Sequence, residues 1–237
     1  MQSRSLERLT LAIRSGFAAI ERKHPAALEY ANISLRGAME RRLYHESLLD
    51  PARLTSLAKA GGDSEAIAEL LPESNSSSTL SEAWSYVKAW VKLIAKGWAI
   101  GPEQRSELNV ATSPEFVFYA LRPHFVEFFL PIIEQLGRQR CAVVCERGYK
   151  VEETAAAHGL MVCEAVKARL WLRSLHFPPK SIFPLYAIAV IALLDALGTL
   201  GRYRPRAVVF AEAASFSEEI LGRASRALGV ATFRVQY

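Results

Sequence analysis

The chain of 237 residues is 51% hydrophobic and 22% charged, a globular composition sufficient for one domain of about 150 residues with a smaller companion, which excludes extensive disorder. The formal charge of +5 comes from interspersed acids and bases, so no nucleic-acid stripe and no nucleic-acid partner is expected, although attraction to anionic lipid or phosphate remains open. Cys141, Cys145 and Cys163 fall in or beside apolar runs and lack ligand spacing with His24, His45, His158 or His176, so buried thiols in a reducing cytoplasm are expected, with no metal or cofactor.

In residues 3–23, Leu6, Leu9, Ile13, Phe17 and Ile20 recur at helical spacing, which predicts an amphipathic helix. No continuous apolar core with a cleavage site precedes it, and no secretory signal is expected. A second helical piece is predicted over 25–49, carried by Leu28, Ile33, Leu35, Met39 and Leu43 and stopped at Asp50-Pro51. Gly61-Gly62-Asp63 ends the next short helix, and the serine-rich stretch 72–81 reads as a mobile linker.

Thr79 and Glu82 have capping-box spacing for a helix whose Leu80, Trp84, Val87, Val91, Ile94 and Trp98 form one seam, beside a stripe of Lys88, Lys92 and Lys96. Two readings fit. The seam docks the helix on its own protein, or it lies in a membrane interface with indoles at headgroup depth and lysines on anionic lipid.

Beyond Gly101-Pro102 short apolar runs alternate with helices. Strands are predicted at 115–121, 141–145, 160–163, at Ala207 to Ala211 and at 230–236. Between them come an aromatic helix closed by Gly137 with Pro131 as a potential kink, a short helix at 151–158 and a crossover helix at 182–200. That crossover segment is near membrane-spanning length, but Pro184 and Asp195 interrupt it, which favours a buried helix. Ser215 and Glu218 have capping-box spacing for the last helix, which Gly229 ends. The fold expected is α/β: an open parallel Rossmann-like sheet in the order 3-2-1-4-5 over residues 111–237, preceded by an all-helical region at 1–110. Gly198-Thr199-Leu200-Gly201 lacks the lysine and hydroxyl of a phosphate-binding loop.

The succession of Arg122-Pro123-His124, Leu130-Pro131-Ile132-Ile133-Glu134-Gln135-Leu136-Gly137, Ala142-Val143-Val144, Val208 to Glu212, Ala227-Leu228-Gly229-Val230 and Val235-Gln236 resembles the N-terminal Rossmann-like domain of GT-B glycosyltransferases. The nearest likeness is to bacterial surface-polysaccharide and capsule transferases, and it covers about half the chain, from residue 112 onward. Tyr237 stands where those proteins often have histidine, and their second domain, which binds most of the sugar nucleotide, is not represented. The resemblance implies a nucleotide-sugar donor held by that second domain, a glycan or lipid-linked acceptor, work in the cytoplasm or at the inner face of the membrane, and no turnover by this chain alone.

In such sheets ligands settle outside the carboxyl ends of the strands where the order reverses, here between the strands ending at Leu121 and Glu212. His124 is the candidate general base, as it is in the resemblance, although capping or packing on its helix would account for it equally; Glu212 is the carboxylate that would orient it or raise its pKa, and strand-end carboxylates also serve as helix-cap partners. Arg122, Arg147, Lys150 and Gln236 are candidates to meet phosphate or glycan, with a solvated loop as the plain alternative for Arg147 and Lys150, and Ser215 and Ser217 are candidates to hold an anion at a helix N-terminus, which Ser215 would otherwise simply cap. The function expected is that of the acceptor-side domain of an enzyme moving a sugar, or a sugar-alcohol phosphate, from an activated nucleotide to a cell-envelope glycan or its lipid carrier. A sugar-nucleotide epimerase and a non-catalytic binding or scaffold module are the alternatives.

Overall fold

The computed structural model describes residues 2–59, 61, 79–98, 113–145, 150–166, 168–176, 178–211 and 215–236. Two compact units divide the chain: Met1–Ala99 with Leu170–Ala192 and Ser215–Ser217 form a helical one, and Ile100–Arg169 with Leu193–Ala214 and Glu218–Tyr237 form an α/β one.

In the helical unit α1 (Gln2–Lys23) buries Leu9, Ile13, Phe17 and Ile20, the stripe expected from its spacing. The predicted helix over 25–49 is instead a hairpin, β1 (Glu29–Tyr30) and β2 (Ile33–Ser34), followed by α2 (Arg36–Leu49). Its two-residue turn puts Ala31 at φ 50° and Asn32 at φ 63°, the left-handed pair that matches strand twist. Alanine gives no sign of that turn, and the buried Leu28, Tyr30 and Leu35 have to be read as hairpin and loop contacts rather than a helical stripe. Arg36 joins the two helices, Nη1 donating to Glu21 at 2.6 Å and Nε to Glu40 at 2.7 Å. The Asp50 carboxylate accepts from the Ala52 N–H at 3.1 Å and opens a 3₁₀ turn at Pro51–Arg53. After α3 (Leu54–Lys59), Gly61 at φ 86° stands at the expected break. The stretch 62–78, most of the expected linker, lies outside the described residues; Thr79 and Leu80 are already helical.

Two phenols tie the segment from Leu170 into this unit. Tyr30 Oη accepts from the Trp171 N–H at 2.8 Å, while Tyr186 Oη donates to the Glu29 carbonyl at 2.8 Å and accepts from the His176 N–H at 3.2 Å. Helix α4 (Thr79–Trp98) docks through Leu93, which is fully buried, and Trp90, stacked on Phe183 with centroids 4.5 Å apart.

The α/β unit is built on five parallel strands, β3 (Phe116–Ala120), β4 (Cys141–Cys145), β5 (Met161–Val162), β6 (Ala207–Ala211) and β7 (Ala231–Val235), in the order β5-β4-β3-β6-β7. This is the expected order, and the predicted runs at 141–145 and 207–211 are reproduced residue for residue. β6 is buried throughout and β3 almost so, as continuous apolar runs in a doubly covered sheet must be. On one face Phe118, Ala120, Cys141, Val143, Val209 and Ala211 join a core with Val126, Phe129 and Ile133 of α5 (Pro123–Leu136). The helix continues through Pro131 and ends at Gly137, whose φ of 92° disfavours any side chain. α6 (Val151–Ala157), α7 (Phe183–Tyr203) and α8 (Phe216–Ala227) complete the connections. Lys180–Tyr203 is long and apolar enough to cross a membrane by length and composition, and 61% of its most apolar window is buried inside the protein. β7 pairs only with β6 among the described strands and leaves Phe233 56% exposed.

Tyr186→Phe removes one donor and one acceptor from a buried junction, orphaning the Glu29 carbonyl and the His176 N–H. It should cost about 1–3 kcal/mol, read as a lower urea midpoint at unchanged slope. An unchanged midpoint would mean that the phenol does not fasten the junction.

Candidate functional site

The chain leaves β3 toward β4 and β5, then returns to β6 on the other side of β3, so the order reverses between β3 and β6. At that reversal the carboxyl end of β3 runs through Leu121 into Arg122, which holds the N-cap position of α5 in extended backbone (φ −142°) without a side-chain cap. Pro123 fixes the first helical turn, its missing N–H costing nothing there, and His124 follows with its ring exposed, 4.3 Å from the Phe125 ring. The sequence thus places an accessible imidazole and an exposed guanidinium at a helix N-terminus, where partial positive charge favours anionic oxygen.

Lys150 follows β4 and precedes α6, exposed, with φ 54°. Gln236 follows β7, also exposed. Arg122, His124, Lys150 and Gln236 therefore stand past the carboxyl ends of parallel strands, on one edge of one sheet. At about 4.8 Å per strand, β3, which His124 follows, and β7, which Gln236 follows, are two spacings or roughly 10 Å apart, and β4, which precedes Lys150, is one spacing from β3 on the other side. Arg147 and Glu212 lie outside the described residues. Ser215 and Ser217, directly before and in the first turn of α8, group with the helical unit.

The opposite edge carries an arrangement that the sequence reading missed. Glu115 accepts from Arg140 Nε and Nη2, both at 2.9 Å, and lies 3.3 Å from Arg206 Nη1. Hydrogen bonding from the Arg140 guanidinium holds the Glu115 carboxyl below the usual carboxylate range. Each of the three residues immediately precedes a strand, β3, β4 and β6, which is the signal that would have revealed the cluster. These groups tie together the starts of β3, β4 and β6.

Burial pushes the thiol pKa of Cys145 and Cys163 up to about 12, and burial also raises Cys141. Among the described residues no cluster of three or more His, Cys, Asp or Glu is placed to hold a metal ion. No protein-family model, curated protein or solved structure matches the chain.

Tyr186 is likewise pushed up to about 12 by burial. Groups whose folded values lie above their unfolded ones stabilise fully below the unfolded values and lose that contribution as pH rises through the folded ones. Stability should therefore hold to about pH 8 and decline from about pH 9 upward. In native protein at about pH 8, Cys145 and Cys163 should react with a disulfide reagent roughly 10³-fold more slowly than free cysteine, their thiolate fraction being smaller by that factor. Reaction at the free-cysteine rate would mean that these thiols are open to solvent.

Proposed function

We propose that this chain is the acceptor-side module of an enzyme of cell-envelope glycan synthesis that transfers a sugar or a sugar-alcohol phosphate, with His124 as general base. The observation that carries the reading is the position of His124: an exposed imidazole in the first turn of the helix after β3, where the strand order reverses. In the reaction the imidazole takes the proton of an acceptor hydroxyl. Its oxygen forms the new bond to the donor's anomeric carbon or phosphorus, and the nucleotide phosphate leaves with the bonding electron pair. Arg122 and Lys150 supply positive charge for phosphate or acidic sugar on the same edge, and Gln236 a neutral donor and acceptor for hydroxyls. The resemblance to GT-B transferases over the α/β half supports this assignment of roles and leaves the donor nucleotide to a second domain. A binding or scaffold role without catalysis is the second reading, favoured by the exposed apolar face of α4.

Titrating short glycans into isotope-labelled protein should shift the amide signals of Arg122, His124, Lys150 and Gln236 together, whereas nucleotide sugars should bind the chain no tighter than about micromolar in calorimetry. Submicromolar nucleotide-sugar binding would overturn the acceptor-side assignment, and a carboxyl edge silent toward every glycan would sink the transferase reading. In a reconstituted transfer assay His124→Ala and His124→Gln should each lower the rate by about 10²-fold or more. Their melting temperatures should stay at the wild-type value, because the ring is exposed. Full activity of both variants would remove His124 from the chemistry.

A further inference from the structure

Helix α4 presents two apolar faces, and among the described residues one of them is docked while the other is exposed. Leu93 and Trp90 dock it, while Trp84 (61% exposed), Val87, Val91 (60% exposed) and Ile94 form a second row in solvent. At 3.6 residues per turn these four share an arc of about 80°, with the docked residues on one side and Lys88 and Lys92 on the other. Both lysines are exposed, and Lys88 Nζ lies 5.4 Å from the Trp84 ring centroid, so cation and indole sit side by side at the border of the row. The face expected to hold the helix to its own protein is therefore the open one.

We propose that this face seats the protein on an anionic lipid bilayer, with α4 lying in the headgroup layer. Trp84, Val87, Val91 and Ile94 enter the interface, and Lys88 and Lys92 meet lipid phosphates. Charge decides the occupant. The row has heptad spacing and so resembles a coiled-coil seam, but self-association would set lysine against lysine, and the helix carries one acid, Glu82, to answer Lys88, Lys92 and Lys96. A negatively charged surface relieves that repulsion, while the indole gains a place at the boundary between hydrocarbon and water. Docking through Leu93 and Trp90 holds the helix before it meets lipid, so less ordering entropy is lost on binding than a free peptide would lose.

The test is sedimentation of the full chain with vesicles of equal parts phosphatidylglycerol and phosphatidylcholine, beside vesicles of phosphatidylcholine alone, at low and high salt. Expected is binding to the anionic vesicles, weakened by salt and accompanied by a blue shift of tryptophan emission. Lys88→Gln/Lys92→Gln should weaken partitioning roughly 25-fold, about fivefold per lysine. Trp84→Glu and Val91→Glu should abolish it with the melting temperature unchanged, since both side chains are exposed. No binding to anionic vesicles at low salt, or equal binding by the Trp84 and Val91 variants, overturns the proposal. So does a concentration-dependent dimer in ultracentrifugation that these variants dissociate without any effect on vesicle binding; that result would give the face to a second copy.

Discussion

β3 is hydrogen-bonded to a parallel neighbour along both edges, and the rest of the α/β unit takes its position from that strand. Phe116 is paired with Cys141 on one side and with Ala207 on the other, so three strands start level. Side chains alternate faces with a period of two, and a slip of one residue would turn Phe118 and Ala120 away from the α5 stripe that covers them. Glu115 opposes such a slip at the outset: its N–H donates to the Arg140 carbonyl, its carbonyl accepts from Arg206 and Ala207, and its carboxylate holds both guanidinium groups. Register at one edge thereby fixes which residues emerge at the other. His124 stands where it does because β3 cannot shift.

The parts legible in the sequence are those where local chemistry and tertiary demand agree. β4 and β6 are short, β-branched or small-residue runs buried on the sheet, and Gly137, Gly159 and Gly229 mark chain reversals at positive φ. The hairpin at Ala31-Asn32 was illegible because its left-handed pair includes an alanine and its apolar neighbours also fit a ragged helix. Helix α4 shows a different limit. Periodicity establishes that Trp84, Val87, Val91 and Ile94 share a face, but it cannot say what meets that face, and the protein docks through the neighbouring Trp90 and Leu93. Of the site, His124, Arg122, Lys150 and Gln236 are gathered by strand order alone, which a sequence of alternating elements can suggest. Ser215 and Ser217 belong with the other unit, a grouping that no local pattern announces.

The ionisable groups around the sheet differ in depth. Cys141, Cys145 and Cys163, with the phenols of Tyr30, Tyr186 and Tyr203, lie where burial raises their pKa and so favours the protonated form. The Glu115, Arg140 and Arg206 cluster stands at the amino edge of the sheet. His124, exposed as His24 and His45 are elsewhere in the chain, stands with Arg122, Lys150 and Gln236 past the carboxyl ends of the strands. Because thiolate rather than thiol is the reactive species, burial also protects the cysteines from oxidation.

The two phenol bonds of the helical unit span 141 residues, from Tyr30 to Trp171, and 157 residues, from Glu29 to Tyr186. A ribosome adding about 5–20 residues per second takes on the order of ten to thirty seconds to make the chain between the two ends of either bond. Throughout that interval the hairpin has no phenol junction, and Leu28 and Tyr30, buried in the finished protein, lack part of their cover. Neither bond can close until the chain past Trp171 or Tyr186 has been made, and by then the residues of β3, β4 and β5 have all been laid down.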